Sequence, residues 1–354
     1  MTDSETESTP DPADTPQPAE PAKRPARNVR PWLFLLLLLA LIALLATRPD
    51  LRRQAADSAA TAVRTVAFDG LGLSPRQLFV WRLRIAGLED SPLGQRWRNA
   101  VERASKDPTS IGRRYRTDAR FSPDTVEAHV YDATLDRGEQ IVWRLTRTDT
   151  TGGRLYASLE RRSGDGDWST VTELTADGER HAEVVDRDGR YRIVLQPELF
   201  AAVNYSLATA TGGSLDFPVE GGAPRDIGSG FGAPRDGGSR AHHGVDIFAD
   251  RGTPVTAVTA GRVRTGTGGI GGNHIWLSGG VFGIGGARYY YAHLDSFEVE
   301  SGDRVDKGQV IGHVGNTGNA RTTPPHLHFG IYTSGGPVNP APFLKPVAQL
   351  PGAG

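Results

Sequence analysis

Pro325-His326-Leu327-His328-Phe329 places two imidazoles one residue apart in a run that reads as a β-strand. Side chains at i and i+2 of a strand share a face. His326 and His328 therefore enter one cavity side by side, where both can hold a metal, or one can hold it while the other moves protons. Alone, such a pair is weak evidence. The other histidines strengthen it: of nine in the chain, His242, His243, His274, His293, His313, His326 and His328 all fall in the last third. Arg240-Ala-His-His-Gly-Val-Asp246 sets His242 four residues before Asp246. Tyr289-Tyr-Tyr-Ala-His293-Leu294 reads as a further strand, with His293 expected on the Tyr289/Tyr291 face. One aspartate and two histidines, with a water in the fourth position, form a standard catalytic arrangement for Zn²⁺. The ion lowers the pKa of its water and polarises a carbonyl. Histidines outside the metal can take the water's proton and stabilise an oxyanion. The supply of histidines exceeds what one zinc needs, as hydrolysis requires and a structural site does not.

These residues must be positioned by sheet. The last third is built of short segments rich in Gly, Val and Ile: Pro254–Val258, Gly261–Arg264, Asn273–Leu277 and Lys307–Val314. With 44 glycines and 24 prolines in the chain, a loop-rich β architecture is expected. No cysteine is present, which excludes disulfides, thiolate metal sites and cysteine nucleophiles, so a metal must be held by nitrogen and oxygen. The formal net charge of −1 gives no case for nucleic-acid binding driven by bulk charge.

The order H-x-x-x-D, Y-x-H-L and H-x-H, from about Phe231 to Pro342, resembles the lysostaphin/LytM-type metallopeptidases, which cut peptide bonds in bacterial peptidoglycan. Gly302–Gly312 and Val338-Asn-Pro340 fit the same family framework. The resemblance implies that one zinc ion is held by His242, Asp246 and His328. It also implies that His293 and His326 are the non-ligand catalytic histidines, which splits the His-x-His pair between metal and acid–base work. The fold it implies is an all-β domain with a central antiparallel sheet forming a narrow groove. All five positions are intact. The sequence departs from the family in the loop after Leu277, where Ser278–Gly286 replaces a short polar turn. Asn273 and Tyr291 are the candidate substrate contacts. His243 is expected at the surface or behind a ligand, and His274 and His313 at framework positions. Lys307 sits in Asp-Lys-Gly-Gln, without the partners that a carrier-domain lysine presents.

Upstream the chain reads as a mainly β protein behind a membrane helix. Residues 1–30, nearly devoid of residues to bury, are expected to be a disordered cytoplasmic tail. Residues 31–47 contain the apolar run Trp32–Ala46 between arginines, expected as a transmembrane signal-anchor, with a cleaved signal peptide and secretion as the alternative. Residues 48–110 are a helical spacer with a start at Ser91-Pro92 and an apolar face of Leu93, Trp97, Ala100, Val101 and Ala104. Period-two segments over 111–212 predict an antiparallel, jelly-roll-like β-sandwich. Residues 213–230 are expected as a linker, 231–345 as the peptidase domain and 346–354 as a tail; Gly-Ala-Pro-Arg-Asp occurs at Gly222–Asp226 and at Gly232–Asp236, read as turn-rich loop entering the last domain.

The expected function is zinc-dependent hydrolysis of peptidoglycan stem peptides or cross-links. It would act from the inner membrane by a single-pass anchor, with the C-terminal domains facing the periplasm or cell wall. The alternatives are a non-catalytic LytM-like module that binds an envelope partner and activates another hydrolase, and a peptidase aimed at a non-wall protein.

Overall fold

The computed structural model describes residues 74–149, 153–279 and 286–352. The N-terminal tail, the apolar run Trp32–Ala46, the first part of the spacer and residues 280–285 of the loop after Leu277 lie outside the described residues. Among the described residues no helix is long and apolar enough to cross a membrane.

Helix α1 (Pro75–Ile85) starts on Ser74, whose hydroxyl accepts from the Gln77 amide while the Gln77 side chain accepts from the Ser74 amide. Helix α2 (Pro92–Arg98) starts at Ser91-Pro92 as its sequence predicts, and α3 (Ala100–Ala104) follows past Asn99. Trp97, Ala100 and Val101 are buried. From Ser74 onward, however, the expected spacer is packed structure. Trp97 donates from its indole nitrogen to the Pro197 carbonyl at 2.8 Å and lies against Phe79 and Tyr156. An indole this large needs cover, and the following sandwich supplies it.

Eight strands form that sandwich: β1 (Arg114–Phe121), β2 (His129–Leu135), β3 (Glu139–Arg147), β4 (Leu155–Arg162), β5 (Trp168–Glu173), β6 (His181–Val184), β7 (Gly189–Pro197) and β8 (Val203–Gly213). One sheet runs β1-β8-β3-β6; the other runs β2-β7-β4-β5, with Thr109–Ser110 added parallel to β2. First pairs with last, second with seventh, third with sixth and fourth with fifth, which is the jelly-roll order. Phe121, Leu145, Leu159, Ile193, Val203 and Leu207 fill the space between the sheets.

The second antiparallel body contains β9 (Val245–Phe248), β10 (Gly261–Gly266), β11 (Asn273–Ser278), β12 (Arg288–Phe297), β13 (Val310–Val314) and β14 (His326–Thr333). The sheet order is β9-β14-β12-β11-β10, with β13 beside the end of β12. Alternation divides its faces. Val245, Ile247, Ile275, Leu277, Tyr289, Tyr291, Leu327, Phe329 and Ile331 form the core. Their neighbours Asp246, Phe248, Trp276, Tyr290, Ala292, His326, His328 and Tyr332 line an open cleft on the other face.

The segments read as linker and tail are structural too. Leu215 and Val219 join the core of the second body. Ala348 and Leu350 pack on Val142 and Ala210 of the sandwich. Gly213 donates to Pro346 O at 3.2 Å, and Lys345 Nζ lies 2.8 Å from Asp136 and 3.0 Å from Glu139. A Cβ on Gly213 would stand 2.2 Å from the Lys345 carbonyl, so backbone approaches backbone there and only glycine fits. The C-terminal strap thus covers apolar positions on the outer face of the β1-β8-β3-β6 sheet, which a two-sheet sandwich alone would leave wet.

Candidate metal centre and cleft

Strand pairing builds the site. In the β9/β14 ladder Asp246 stands opposite His328 and Phe248 opposite His326; in the β12/β14 ladder Ala292 stands opposite His328. Both histidines of the His-x-His pair therefore share the cleft face. His242, just upstream of β9, completes a triangle. Its Nε2 is 2.9 Å from His328 Nδ1 and 3.0 Å from Asp246 Oδ1, and His328 Nδ1 is 3.0 Å from the same oxygen. These three residues meet the geometric conditions for a metal site. A tetrahedral zinc with bonds of about 2.0–2.1 Å needs donor atoms roughly 3.3 Å apart. The triangle is slightly tighter than that and composed of suitable donors.

The surrounding groups orient each donor. His242 Nδ1 meets the Gly230 carbonyl at 2.8 Å; a carbonyl only accepts, so the proton sits on Nδ1 and Nε2 presents its lone pair to the triangle. Asp246 turns its other oxygen, Oδ2, to Arg235 Nη2 at 2.8 Å, and the same nitrogen donates to Ser229 Oγ at 2.7 Å. Burial alone would raise the Asp246 carboxyl, but the adjoining His242 and His328 rings outweigh it and hold it well below the usual carboxylate range. Burial lowers His328, against the pull of Asp246, which favours the neutral ring that a metal requires. Gly244 makes room for that ring: a Cβ there would lie 2.7 Å from His328 Cε1 and 2.5 Å from Phe329 O.

His293 reaches the cleft by another device. Simple alternation, continued from Tyr289 and Tyr291, would send it into the core. Instead its φ is +64°, the left-handed region, and the β11/β12 register shifts around it: Ile275 faces Tyr291 but Asn273 faces Leu294, so β12 carries one extra residue there. This bulge returns Leu294 to the core and turns His293 into the cleft. His293 Nδ1 donates to Thr317 O at 2.9 Å and leaves Nε2 with the lone pair. Burial first, then neighbouring His326, pushes its pKa down to about 4. His326 donates from Nδ1 to Pro324 O at 2.9 Å, and its ring centroid lies 5.0 Å from that of His293.

Neither candidate substrate contact is in the cleft. Tyr291 lies in the core, its hydroxyl accepting from the Val258 amide at 3.0 Å. The expectation placed His293 and Tyr291 on one face, whereas the bulge puts them on opposite faces. Tyr290 takes the cleft position, in a wall with Trp276 and Tyr332. The Asn273 side chain donates to Asp295 O at 3.2 Å, while its backbone amide donates to Thr317 Oγ1 at 2.9 Å, both framework bonds. His243 lies exposed on the cleft rim, His274 contacts Gly272 O, and His313 contacts Ser296. The cleft has a volume of about 570 Å³.

Sequence reading missed Arg235, Gly244, Thr317 and Tyr290. Arg235 lay in the second Gly-Ala-Pro-Arg-Asp copy, read only as turn-forming loop. Gly244, between a ligand-type histidine and Asp246, was the one signal available. Thr317 acts through its carbonyl, which no side-chain pattern reveals.

The family model for peptidase family M23 matches residues 240–340, the stretch that holds this cleft. That stretch is a peptidase family M23 domain. Among curated relatives, the glycyl-glycine endopeptidase ALE-1 of Staphylococcus capitis is 46% identical over 110 residues, 29% of this chain and 29% of the relative. The peptidoglycan DD-endopeptidase ShyC of Vibrio cholerae is 36% identical over 117 residues, 33% of this chain and 26% of the relative. The chain thus spans less than a third of the length of these relatives. The catalytic domain of lysostaphin from Staphylococcus simulans, a solved structure, is 36% identical; the match covers 34% of this chain and 94% of that domain, at a TM-score of 0.30. The M23 domain accounts for the clustering of histidines at the end of the chain; the jelly-roll sandwich lies outside the matched stretch.

Proposed function

We propose that the chain is a zinc-dependent endopeptidase that hydrolyses peptide bonds in peptidoglycan cross-links. The observation that carries this reading is the donor triangle of His242, Asp246 and His328 beside two further histidines in one cleft. His242 Nε2, Asp246 Oδ1 and His328 Nδ1 would hold the zinc, which would supply Lewis acidity to a water and to the scissile carbonyl. His293 performs the proton transfer. Its Nδ1 is fixed on Thr317 O, so Nε2 accepts a proton from the attacking water and passes it to the departing amine. His326, held through Nδ1 on Pro324 O, has Nε2 free; when protonated it donates to the developing oxyanion. The wall of Trp276, Tyr290 and Tyr332 aligns an extended peptide.

The substrate class is supported by the relatives, one named for glycyl-glycine bonds and one for peptidoglycan. The intact donor set favours catalysis over a purely regulatory module. Trp32–Ala46 serves as a signal-anchor, so the peptidase works outside the cytoplasmic membrane, where its substrate is. The test is digestion of purified sacculi by the full chain with and without a chelator, the products read by mass, together with metal analysis. Asp246→Ala and His328→Ala are expected to lose both zinc retention and peptide release. Sacculus digestion by these variants at the wild-type rate, or by the chelated enzyme, would refute the mechanism. A metal-free protein at neutral pH that still stimulates another hydrolase would establish the regulatory reading instead.

A further inference from the structure

Helix α1 packs by one side only. Phe79 and Leu83 point inward, against Trp97 and Tyr156. Trp81 and Ile85, four residues apart and so on one face, are 57% and 67% exposed, and Leu88 in the turn beyond is 46% exposed. Eight large hydrophobic side chains are exposed among the described residues, and three of them fall in this short stretch. An exposed apolar cluster on a soluble body marks a contact surface.

Two observations say what the contact is. Residues 74–107 carry seven basic side chains against four acidic ones, in a chain whose overall formal charge is −1. Arg82 and Arg84 flank the apolar edge and project outward, 65% and 67% exposed, although each also reaches a glutamate. A tryptophan and aliphatic tip between arginines is the pattern of a helix lying at an anionic lipid surface. The helix also sits close after Trp32–Ala46 in the sequence, the one run apolar enough to enter a bilayer.

We infer that Trp81, Ile85 and Leu88 form a membrane-contact edge that rests on anionic lipid. It holds the jelly-roll body against the bilayer that anchors the chain. The inference rests on the anchor reading and is independent of the peptidase chemistry. Trp81, Ile85 and Leu88 enter the headgroup–acyl boundary, while Arg82 and Arg84 meet lipid phosphates, each basic side chain adding attraction that salt screens.

The chain lacks cysteine, so Ile85→Cys and, as a control, Val171→Cys on β5 can each carry one environment-sensitive fluorophore. The full-length chain is reconstituted into phosphatidylcholine vesicles with and without phosphatidylglycerol, containing brominated acyl chains. The Ile85 probe is expected to shift to the blue and lose about half or more of its emission to the brominated lipid, more in anionic than in neutral vesicles, while the Val171 probe is unaffected. In a Trp81→Ser, Leu88→Ser background the Ile85 probe is expected to escape quenching, with hydrolysis of soluble peptides unchanged. A solvent-like Ile85 probe on vesicle-bound protein overturns the inference and leaves the anchor standing. A blue-shifted but unquenched probe also overturns it, showing the edge covered by protein. Protein that fails to float with the vesicles overturns both readings.

Discussion

His293 offers a sharp test, because its backbone and its chemistry can be separated. A φ of +64° strains a residue with a Cβ, by about 1–2 kcal/mol for most L-residues, while glycine adopts it freely and asparagine readily. At an ordinary strand position, Ala→Gly costs about 0.5–1 kcal/mol. At position 293 the sign should invert: His293→Gly is expected to be more stable than His293→Ala by about 1 kcal/mol, and His293→Asn to keep the bulge most closely. Denaturant unfolding of the chelated protein measures this. All three variants are expected to lose roughly 10²–10⁴-fold in peptide hydrolysis, since each lacks the proton acceptor. The ring also has a pH signature. Its folded pKa of about 4 lies below the ordinary value of 6.5, so between those pH values the unfolded chain binds a proton that the folded chain does not. Stability is therefore unaffected by His293 above pH 6.5 and falls as pH drops toward 4, by roughly 3 kcal/mol in all. Comparison of wild type with His293→Asn isolates that loss from the titration of the other histidines. An alanine variant more stable than the glycine variant would refute the strained-bulge account. An asparagine variant with wild-type activity would remove His293 from the chemistry.

Three further outcomes follow from the same geometry. Arg235→Ala strips Asp246 Oδ2 of its cation and is expected to weaken zinc retention about 10–100-fold in chelator competition. Arg235→Lys should restore most of it, because a single nitrogen makes both the Asp246 and Ser229 bonds. Gly244→Ala drives a methyl into Phe329 O and the His328 ring, with an expected loss of about 1–3 kcal/mol in unfolding free energy and weakened metal binding; unchanged zinc affinity would show that the ring is not held there. Deletion of Pro346–Gly354 uncovers Val142 and Ala210 on the sandwich and is expected to cost about 2–3 kcal/mol of stability, read by denaturant unfolding.

What the sequence revealed of the site follows from how each residue is placed. His326 and His328 were legible because strict alternation holds through β14, so type and spacing alone put them on one face with Asp246 across the ladder. The sandwich was legible for the same reason, since its strands alternate and its turns are marked by Gly and Asp. Alternation failed where the chain departs from it. The bulge at His293 is one extra step in a strand, and nothing in Tyr289-Tyr-Tyr-Ala-His-Leu signals it, so Tyr291 was assigned the face that Tyr290 occupies. A histidine at that point of a regular strand would be buried on the face of Tyr289, Tyr291 and Phe329, unable to receive a proton from the cleft. The site therefore depends on a local irregularity that costs stability, and the β11–β12–β13 ladders on either side supply the hydrogen bonds that hold it. The tail escaped notice for a different reason. Val347-Ala348-Gln349-Leu350 is too short to read as an element, and its partners Val142 and Ala210 lie some 140–200 residues upstream. Contacts this distant in sequence leave no local pattern. They make the jelly-roll body and the M23 domain share one strap, so a perturbation at the C-terminus is felt first by the sandwich rather than by the metal centre nearer to it in sequence.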